Sequence, residues 1–395
     1  MPKLRVDQID LAGKRVFLRV DFNIPLKDGR AADDTRITAS LPTIQHCLKT
    51  GAAVILASHL GRPKGKPDPK LSLHPVALRL EELLGRAVPL APDCIGPDVE
   101  AQVAALAPGQ VLMLENLRFH PEEEANDDGF ARALAGLADC YVNDAFAAAH
   151  RAHASTEAIA RHCRPAAAGL LMARELEALE RIFERPSPPL QAILGGAKVS
   201  DKLGLLEHLI DRVDGLLIGG GMAFTFLTAL GHAVGRSLVE PERIEAARAV
   251  LERARGRGVR VRLPVDVVVA RGADDGAGAR AVAVREIPPD LMGLDIGPTT
   301  REQFAEALKG TRTVVWNGPM GVFEREGFAA GTLAVARAVA GCGAFSVIGG
   351  GDTIAAVQAA GVSAQIGYIS TAGGAFLEFL EGRVLPGVAA LTDAP

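Results

Sequence analysis

Arg36, His59, Arg62, Arg118 and Arg151 are scattered over the first part of the 395-residue chain, yet they share a setting. His59, Arg62 and Arg118 follow short apolar runs, as do the polar residues Asp21 and Asn23 after "VFLRV" (16–20). A guanidinium can grip a carboxylate or a phosphate with two parallel hydrogen bonds. Gathered in one place, these residues describe a basic pocket for a small, multiply anionic ligand. Each arginine alone is more simply a surface ion-pair partner. Their common position beside Asp21 and Asn23 is what favours the pocket.

The second half offers different chemistry. Its apolar runs lead into "GGAKVSDK" (195–202), "GGGMAF" (219–224), "NGPMGVFE" (317–324), "GGGDT" (349–353) and "TAGGA" (371–375). Glycine lets backbone N–H groups approach a phosphate, and a helix start binds anions. Several such turns on one sheet point to a nucleotide, although each alone is also a tight strand–helix turn. Lys198 and Lys202, four apart, are expected on one helix face. There they can neutralise phosphoryl oxygens or simply meet solvent. Asp352 suits a single-carboxylate Mg²⁺ site or the cap of the helix "TIAAVQAA". Glu324 suits ribose hydroxyls or solvent.

Familiar alternatives fail on spacing. "GRPKGK" (61–66) is one residue short of GxxxxGK[ST] and lacks the Ser/Thr. No GxGxxG follows a strand, and the protein-kinase motifs are missing. "HRAH" (150–153) lacks a third metal ligand nearby. The acidic "ENLRFHPEEEANDD" (115–128) lacks the EF-hand pattern and is expected to be a solvated loop.

The elements that must position these residues are legible. Apolar runs such as "AAVILA" (52–57), "VLMLE" (111–115), "QAIL" (191–194), "VDVVVA" (265–270) and "FSVIG" (345–349) alternate with helical stretches. That pattern predicts parallel sheets covered on both faces, with ligands beyond the carboxyl ends of the strands. The length suits two domains. "PAAAGLLMARELEALERIFERP" (165–186) reads as a linking helix stopped by proline. The lobes are expected at 1–170, with a returning segment 376–395, and at 186–375, joined by the helix 171–185. Aromatics are only 4% and net charge is −4, which disfavours nucleic-acid binding. Five cysteines without a CxxC pair favour a reduced, cytoplasmic protein. No secretory leader or membrane span is visible.

Taken together, "RVDFNIPL", "DDTRI", "SHLGRPKG", "LENLRF", "VNDAF", "AHRAHAS", "GGAKVSDK", "IGGGMAFTFL", "VWNGPMGVFE", "IGGGDT" and "ISTAGGA" resemble the phosphoglycerate kinase family in order and spacing. The resemblance implies two lobes, each a doubly wound, Rossmann-like α/β sheet flanked by helices, with a hinge. It assigns Asp21, Asn23, Arg36, His59, Arg62, Arg118 and Arg151 to 3-phosphoglycerate. Arg62, Arg118, Arg151 and His59 would face its phosphate, and Arg36 its carboxyl end. It places Gly219, Gly220, Gly293 and Pro319 around the adenosine and Glu324 at the ribose. Lys202, Asn317 and Thr353, in or beside "GGAKVSDK", "NGPMGVFE" and "GGGDT", would meet phosphates, with Gly350 and Gly351. Asp352 would hold Mg²⁺, and Lys198, Gly373 and Gly374 would sit by the transferring group.

The implied reaction is reversible phosphoryl transfer between 1,3-bisphosphoglycerate and Mg-ADP, giving 3-phosphoglycerate and Mg-ATP, by a monomer. The nucleophile is already anionic, so no general base is needed; alignment and positive charge are. Ala372 stands where the family usually has glycine, and would be strained if its φ were positive. A nicotinamide-type oxidoreductase would need the missing GxGxxG turn. A non-catalytic binding protein for phosphorylated metabolites would not need Lys198, Asp352 and Glu324 together.

Overall fold

The structure is a computed structural model and describes residues 2–394. The chain divides into two compact units, Met1–Glu177 with Val384–Pro395, and Ala178–Arg383. The division falls inside the helix Leu170–Phe183. The helix Gly374–Leu380 packs on the helix Leu203–Leu209, so it stays with the second unit. The returning segment therefore starts at Val384 and not at residue 376.

In the first unit, β1 (Arg15–Arg19) leads into a short hairpin of β2 (Leu26–Lys27) and β3 (Arg30–Ala31). Strands β4 (Ala53–Ala57), β5 (Val111–Met113), β6 (Cys140–Asn143) and β7 (Ala166–Ala168) follow. The sheet order is β5-β4-β1-β6-β7, and every pairing is parallel. Phe17 sits opposite Ile55 on one side and Tyr141 on the other. Both faces are covered, so the strand centres are apolar; Val16, Leu18, Val54, Leu56 and Val142 anchor the core. Strand order reverses between β1 and β6, the switch point at which such sheets hold ligands.

The second unit repeats the plan. It contains β8 (Leu190–Leu194), β9 (Gly215–Ile218) and β10 (Arg260–Arg262). Next come β11 (Asp266–Ala270), β12 (Arg280–Ala283) and β13 (Met292–Ile296), then β14 (Thr313–Asn317), β15 (Phe345–Gly349) and β16 (Tyr368–Ser370). The parallel order is β10-β9-β8-β14-β15-β16, with its switch between β8 and β14. The run "VDVVVA" does not join it. β11 pairs antiparallel with β12 and β13 in a separate sheet. The connections within that sheet are too short for the helical crossover that parallel pairing requires. Val267 and Val269 pack against Phe224 and Leu291 instead.

Candidate active site

Loops leaving β1, β4, β5 and β6 converge on the first switch point. Arg36 Nη1 donates to Asp21 Oδ2 at 2.7 Å. Asn23 Oδ1 accepts from the Gly61 amide at 2.9 Å, and Arg118 Nη1 donates to the Gly61 carbonyl at 2.9 Å. The loop after β4 is thus held from both sides. Asn116, wholly buried, ties it further: Nδ2 donates to Leu60 O at 2.7 Å and Oδ1 accepts from Arg118 N at 3.1 Å. Arg62 and Arg151 are exposed, and Arg151 lies near enough to Arg118 for their charges to oppose each other. Burial is the larger cause lowering the Arg118 pKa.

His59 is not one of the cations of this basin. It is buried, and its Nδ1 lies 3.1 Å from Arg19 Nη2. A guanidinium only donates, so Nδ1 accepts and the ring proton sits on Nε2. Burial, reinforced by Arg19 and Arg118, pushes the His59 pKa well below its usual range. His59 therefore offers a neutral N–H donor.

Arg19 itself is invisible in the sequence reading, sitting inside the apolar run of β1. Only 1% exposed, it donates from Nε to Ser155 Oγ at 2.8 Å and from Nη1 to the Val20 carbonyl. Its counter-charge is Glu123, whose Oε1 lies 4.0 Å from Arg19 Nη2. Glu123 accepts from Ser155 Oγ at 2.6 Å and Ser155 N at 2.9 Å. The acidic stretch is thus not a solvated loop: Glu123 is wholly buried, and Glu115 accepts from Leu73 N at 2.8 Å. From "HRAH", His153 joins the same network, 3.9 Å from Glu123, its pKa pushed down to about 3 chiefly by burial. A charged residue inside a continuous apolar run was the available signal, because such a group needs a buried partner once the run is buried. Asn143 and Asp144 face inward. Asp144 Oδ1 accepts from Leu171 N at 2.9 Å and Met172 N at 3.1 Å, at the start of the helix Leu170–Phe183.

At the second switch point the loops after β8, β9 and β14 interlock through backbone. Gly196 N donates to Pro319 O at 2.9 Å, Gly220 N to Met320 O at 3.0 Å, and Met222 N to Gly196 O at 3.0 Å. They floor a cleft of about 360 Å³ lined by Gly220, Gly293, Pro319, Glu324 and Asp352. Its walls are apolar: Phe224, Leu238, Val267, Met292 and Met320. A Cβ at Gly293 would collide with the Phe224 ring, so that glycine keeps one wall flat. A flat apolar slot with carboxylates at one side suits a nucleoside. Sequence reading missed Asp295, a buried part of this lining. It accepts from Gly331 N at 2.6 Å, yet burial pushes its pKa up to about 7.

The other nucleotide candidates lie outside the cleft lining. Gly219 is backed by Met320. Asn317 Nδ2 donates to Gly349 O at 2.6 Å, and Thr353 Oγ1 accepts from Gly318 N at 2.7 Å. Both are buried and shape loops, while Asn317 Oδ1 is left without a partner. Lys198 and Lys202 do not share a helix face. Glu240 accepts from Val199 N, Ser200 N and Ser200 Oγ, holding this segment as a turn. The helix begins only at Leu203. Lys198 is exposed, whereas Lys202 is half-buried, its pKa lowered by burial against the pull of Asp201, Asp352 and Glu381. Asp352 does not cap its helix; Gly350 precedes Gly351–Ala359, and Asp352 lies exposed in the first turn. Gly373 precedes the helix Gly374–Leu380 with φ 55°. Ala372 is not among the positive-φ residues, so the feared strain is not there.

One hard carboxylate oxygen beside glycine amides and a lysine fits Mg²⁺, which takes one or two carboxylates and otherwise phosphates and water. Two parallel sheets whose chemistry gathers at their switch points, guanidinium on one and nucleotide-shaped on the other, make an α/β transferase of two-substrate type. Comparison with known proteins narrows the class. The family model for phosphoglycerate kinase matches residues 6–383. The chain is 58% identical over 393 residues to the phosphoglycerate kinase of Moorella thermoacetica, covering 100% of both, and 57% identical to that of Synechococcus elongatus, covering 98% and 97%. The structure of phosphoglycerate kinase from Coxiella burnetii matches with a TM-score of 0.93 at 44% identity, covering 98% of both chains. The chain belongs to the phosphoglycerate kinase family. It is an enzyme of glycolytic phosphoryl transfer.

Proposed function

We propose that the basic basin of the first unit binds 3-phosphoglycerate or 1,3-bisphosphoglycerate, and the cleft of the second binds ADP or ATP. Arg62, Arg118 and Arg151 would grip the distal phosphate, with the His59 Nε2 proton as a neutral donor. Asp21 and Asn23 would orient the glycerate, and Arg36, fixed by Asp21, would face the carboxyl end. Gly219, Gly220, Gly293 and Pro319 would frame the adenosine, and Glu324 would accept from ribose hydroxyls. Lys202, Asn317, Gly350, Gly351 and Thr353 would meet or shape the phosphate site. Asp352 would hold Mg²⁺, which supplies charge neutralisation at the nucleotide phosphates.

The attacking oxygen is a carboxylate or a diphosphate, so no side chain must remove a proton. A His59 held neutral and already hydrogen-bonded to Arg19 agrees with a binding role. Arg36, Lys198 and the amides at Gly373 and Gly374 would stabilise the transferring group. Direct transfer requires both ligands to meet, with water kept from the acyl phosphate. We infer that the units close, with the helix Leu170–Phe183 as the joint. We also read the enzyme as a cytoplasmic monomer with reduced cysteines. No helix among the described residues is long and apolar enough to cross a membrane.

The observation that carries this reading is the split of chemistry between the two switch points. The test is 3-phosphoglycerate-dependent ADP formation from Mg-ATP, with hydroxylamine trapping the acyl phosphate. Arg36→Ala should lower kcat by about a hundredfold or more while leaving the Kd for ADP unchanged. Parallel losses in both would remove Arg36 from the transfer step. Stabilisation by both ligands without turnover would favour a binding protein.

A further inference from the structure

The segments on either side of β5 carry a cluster that phosphoryl transfer does not use. Asp93, Cys94 and His120 present a carboxylate oxygen, a sulfur and a ring nitrogen, all within 4.8 Å of one another. The backbone holds two of the three in place: Glu115 N donates to Asp93 O at 3.4 Å, and Cys94 Sγ donates to Glu115 O at 3.0 Å. The His120 ring stacks on Phe130 with centroids 4.9 Å apart, and its Nε2 lies 2.6 Å from Asp93 Oδ1. Cys94 is fully buried, while the Asp93 side chain is 50% exposed and that of His120 22%. The soft ligand is therefore inside and the hard one at the surface, which leaves an entry path for an ion.

A sulfur, an imidazole and a carboxylate together suit a borderline-soft ion and not Mg²⁺ or Ca²⁺. Ligand atoms around tetrahedral zinc are roughly 3.3–3.7 Å apart, given metal–ligand bonds of about 2.0–2.3 Å. In the cluster one pair stands at 2.6 Å and every pair within 4.8 Å, which brackets that spacing. We propose that Asp93, Cys94 and His120 form a three-ligand Zn²⁺ site, its fourth position taken by water. On binding, the Cys94 S–H bond breaks, its electron pair forms the S–Zn bond, and the proton leaves to solvent. The Asp93–His120 hydrogen bond opens: its proton is lost from Nε2, the neutral ring keeps its proton on Nδ1, and the freed Nε2 lone pair and carboxylate oxygen turn to the ion. The site lies in the first unit, apart from the Asp352 position in the second.

The full-length protein, stripped with a chelator, is titrated with Co²⁺ as a spectroscopic stand-in, then with Zn²⁺ against a chromophoric chelator. One equivalent of Co²⁺ should give a thiolate-to-cobalt charge-transfer band with strong tetrahedral visible absorption, and Zn²⁺ should erase it. Cys94→Ser should abolish the band. His120→Gln, at a partly exposed position, should weaken Zn²⁺ by more than about tenfold, since even outer-shell losses cost 10- to 100-fold. Retained phosphotransferase activity shows that each variant is folded. No band, a band surviving Cys94→Ser, or unchanged Zn²⁺ affinity in His120→Gln would overturn the proposal. A surviving band would place the ion at Cys342, the partly exposed cysteine.

Discussion

Replacing Gly220 with alanine is expected to damage the second unit out of proportion to one methyl group. Gly220 has φ +68°, a region that costs an L-residue about 1–2 kcal/mol. Its added Cβ would also sit 2.6 Å from both the N and O atoms of Gly196 and 2.8 Å from Pro319 O. All three are backbone atoms, so no side chain can swing away. Relief means parting the loops, which breaks the Gly196–Pro319 and Met222–Gly196 hydrogen bonds at about 1 kcal/mol each. The total is about 3–4 kcal/mol. A domain of about 200 residues loses roughly 2–4 °C of Tm per kcal/mol, so the shift should reach about 6–16 °C. The assay is thermal unfolding followed by near-ultraviolet signals, with ADP affinity by calorimetry. Gly341→Ala, at the end of the helix Ala330–Gly341, is the control, because nothing lies within 4 Å of its Cβ, its φ is ordinary and it has no part in the cleft. ADP binding should weaken in Gly220→Ala and hold in Gly341→Ala. An unchanged Tm and ADP affinity in Gly220→Ala, or equal losses in both variants, would refute the interlock.

Asn116→Ala removes hydrogen bonds to Leu60, Leu71 and Arg118 and leaves buried backbone groups unpaired. Urea unfolding should show a loss of about 3 kcal/mol, with weaker 3-phosphoglycerate binding and unchanged ADP binding. Burial raises the Asp144 pKa to about 6 from 3.8, so between those values the folded state keeps a proton that the unfolded state has lost. Stability of the first unit should therefore fall by about 3 kcal/mol as pH rises from about 4 to about 6, then level off. Asp144→Asn should flatten that slope in a pH series of urea melts. Ala372→Gly should cost about 0.4–1 kcal/mol in a thermal melt, as loosening an unstrained alanine does, and leave turnover unchanged.

The parallel strands and their exits were legible because residues buried on both faces form continuous apolar runs. Asp21, Asn23 and His59 stood out as polar residues directly beyond such runs. Arg19 did not, since a run read for average hydrophobicity hides one guanidinium, and its partner Glu123 lies over a hundred residues away. Neither pattern nor spacing can pair them. Lys198 and Lys202 misled for a related reason. Helical spacing is a local property, but the turn that overrides it is held by Glu240, some forty residues on. "VDVVVA" has the composition of a central parallel strand; only the short connections that follow it, to β12 and then to β13, betray its antiparallel pairing.

The first unit is built from two stretches of chain that are far apart in sequence. Leu4 N donates to Thr392 O at 2.8 Å, Thr392 N to Ala166 O at 2.9 Å, and Lys3 pairs with Asp393 at 2.7 Å. During synthesis the ribosome delivers residues 3–168 early and residues 384–394 only after the whole second unit has emerged. The second unit is contiguous and can finish folding while its predecessor waits, with the seam beside Ala166 and Leu4 unsealed. At a synthesis rate of about 5–20 residues per second, that wait lasts on the order of ten seconds or more. For that interval the nascent chain exposes an edge that the finished enzyme never shows, a period in which chaperones have something to hold.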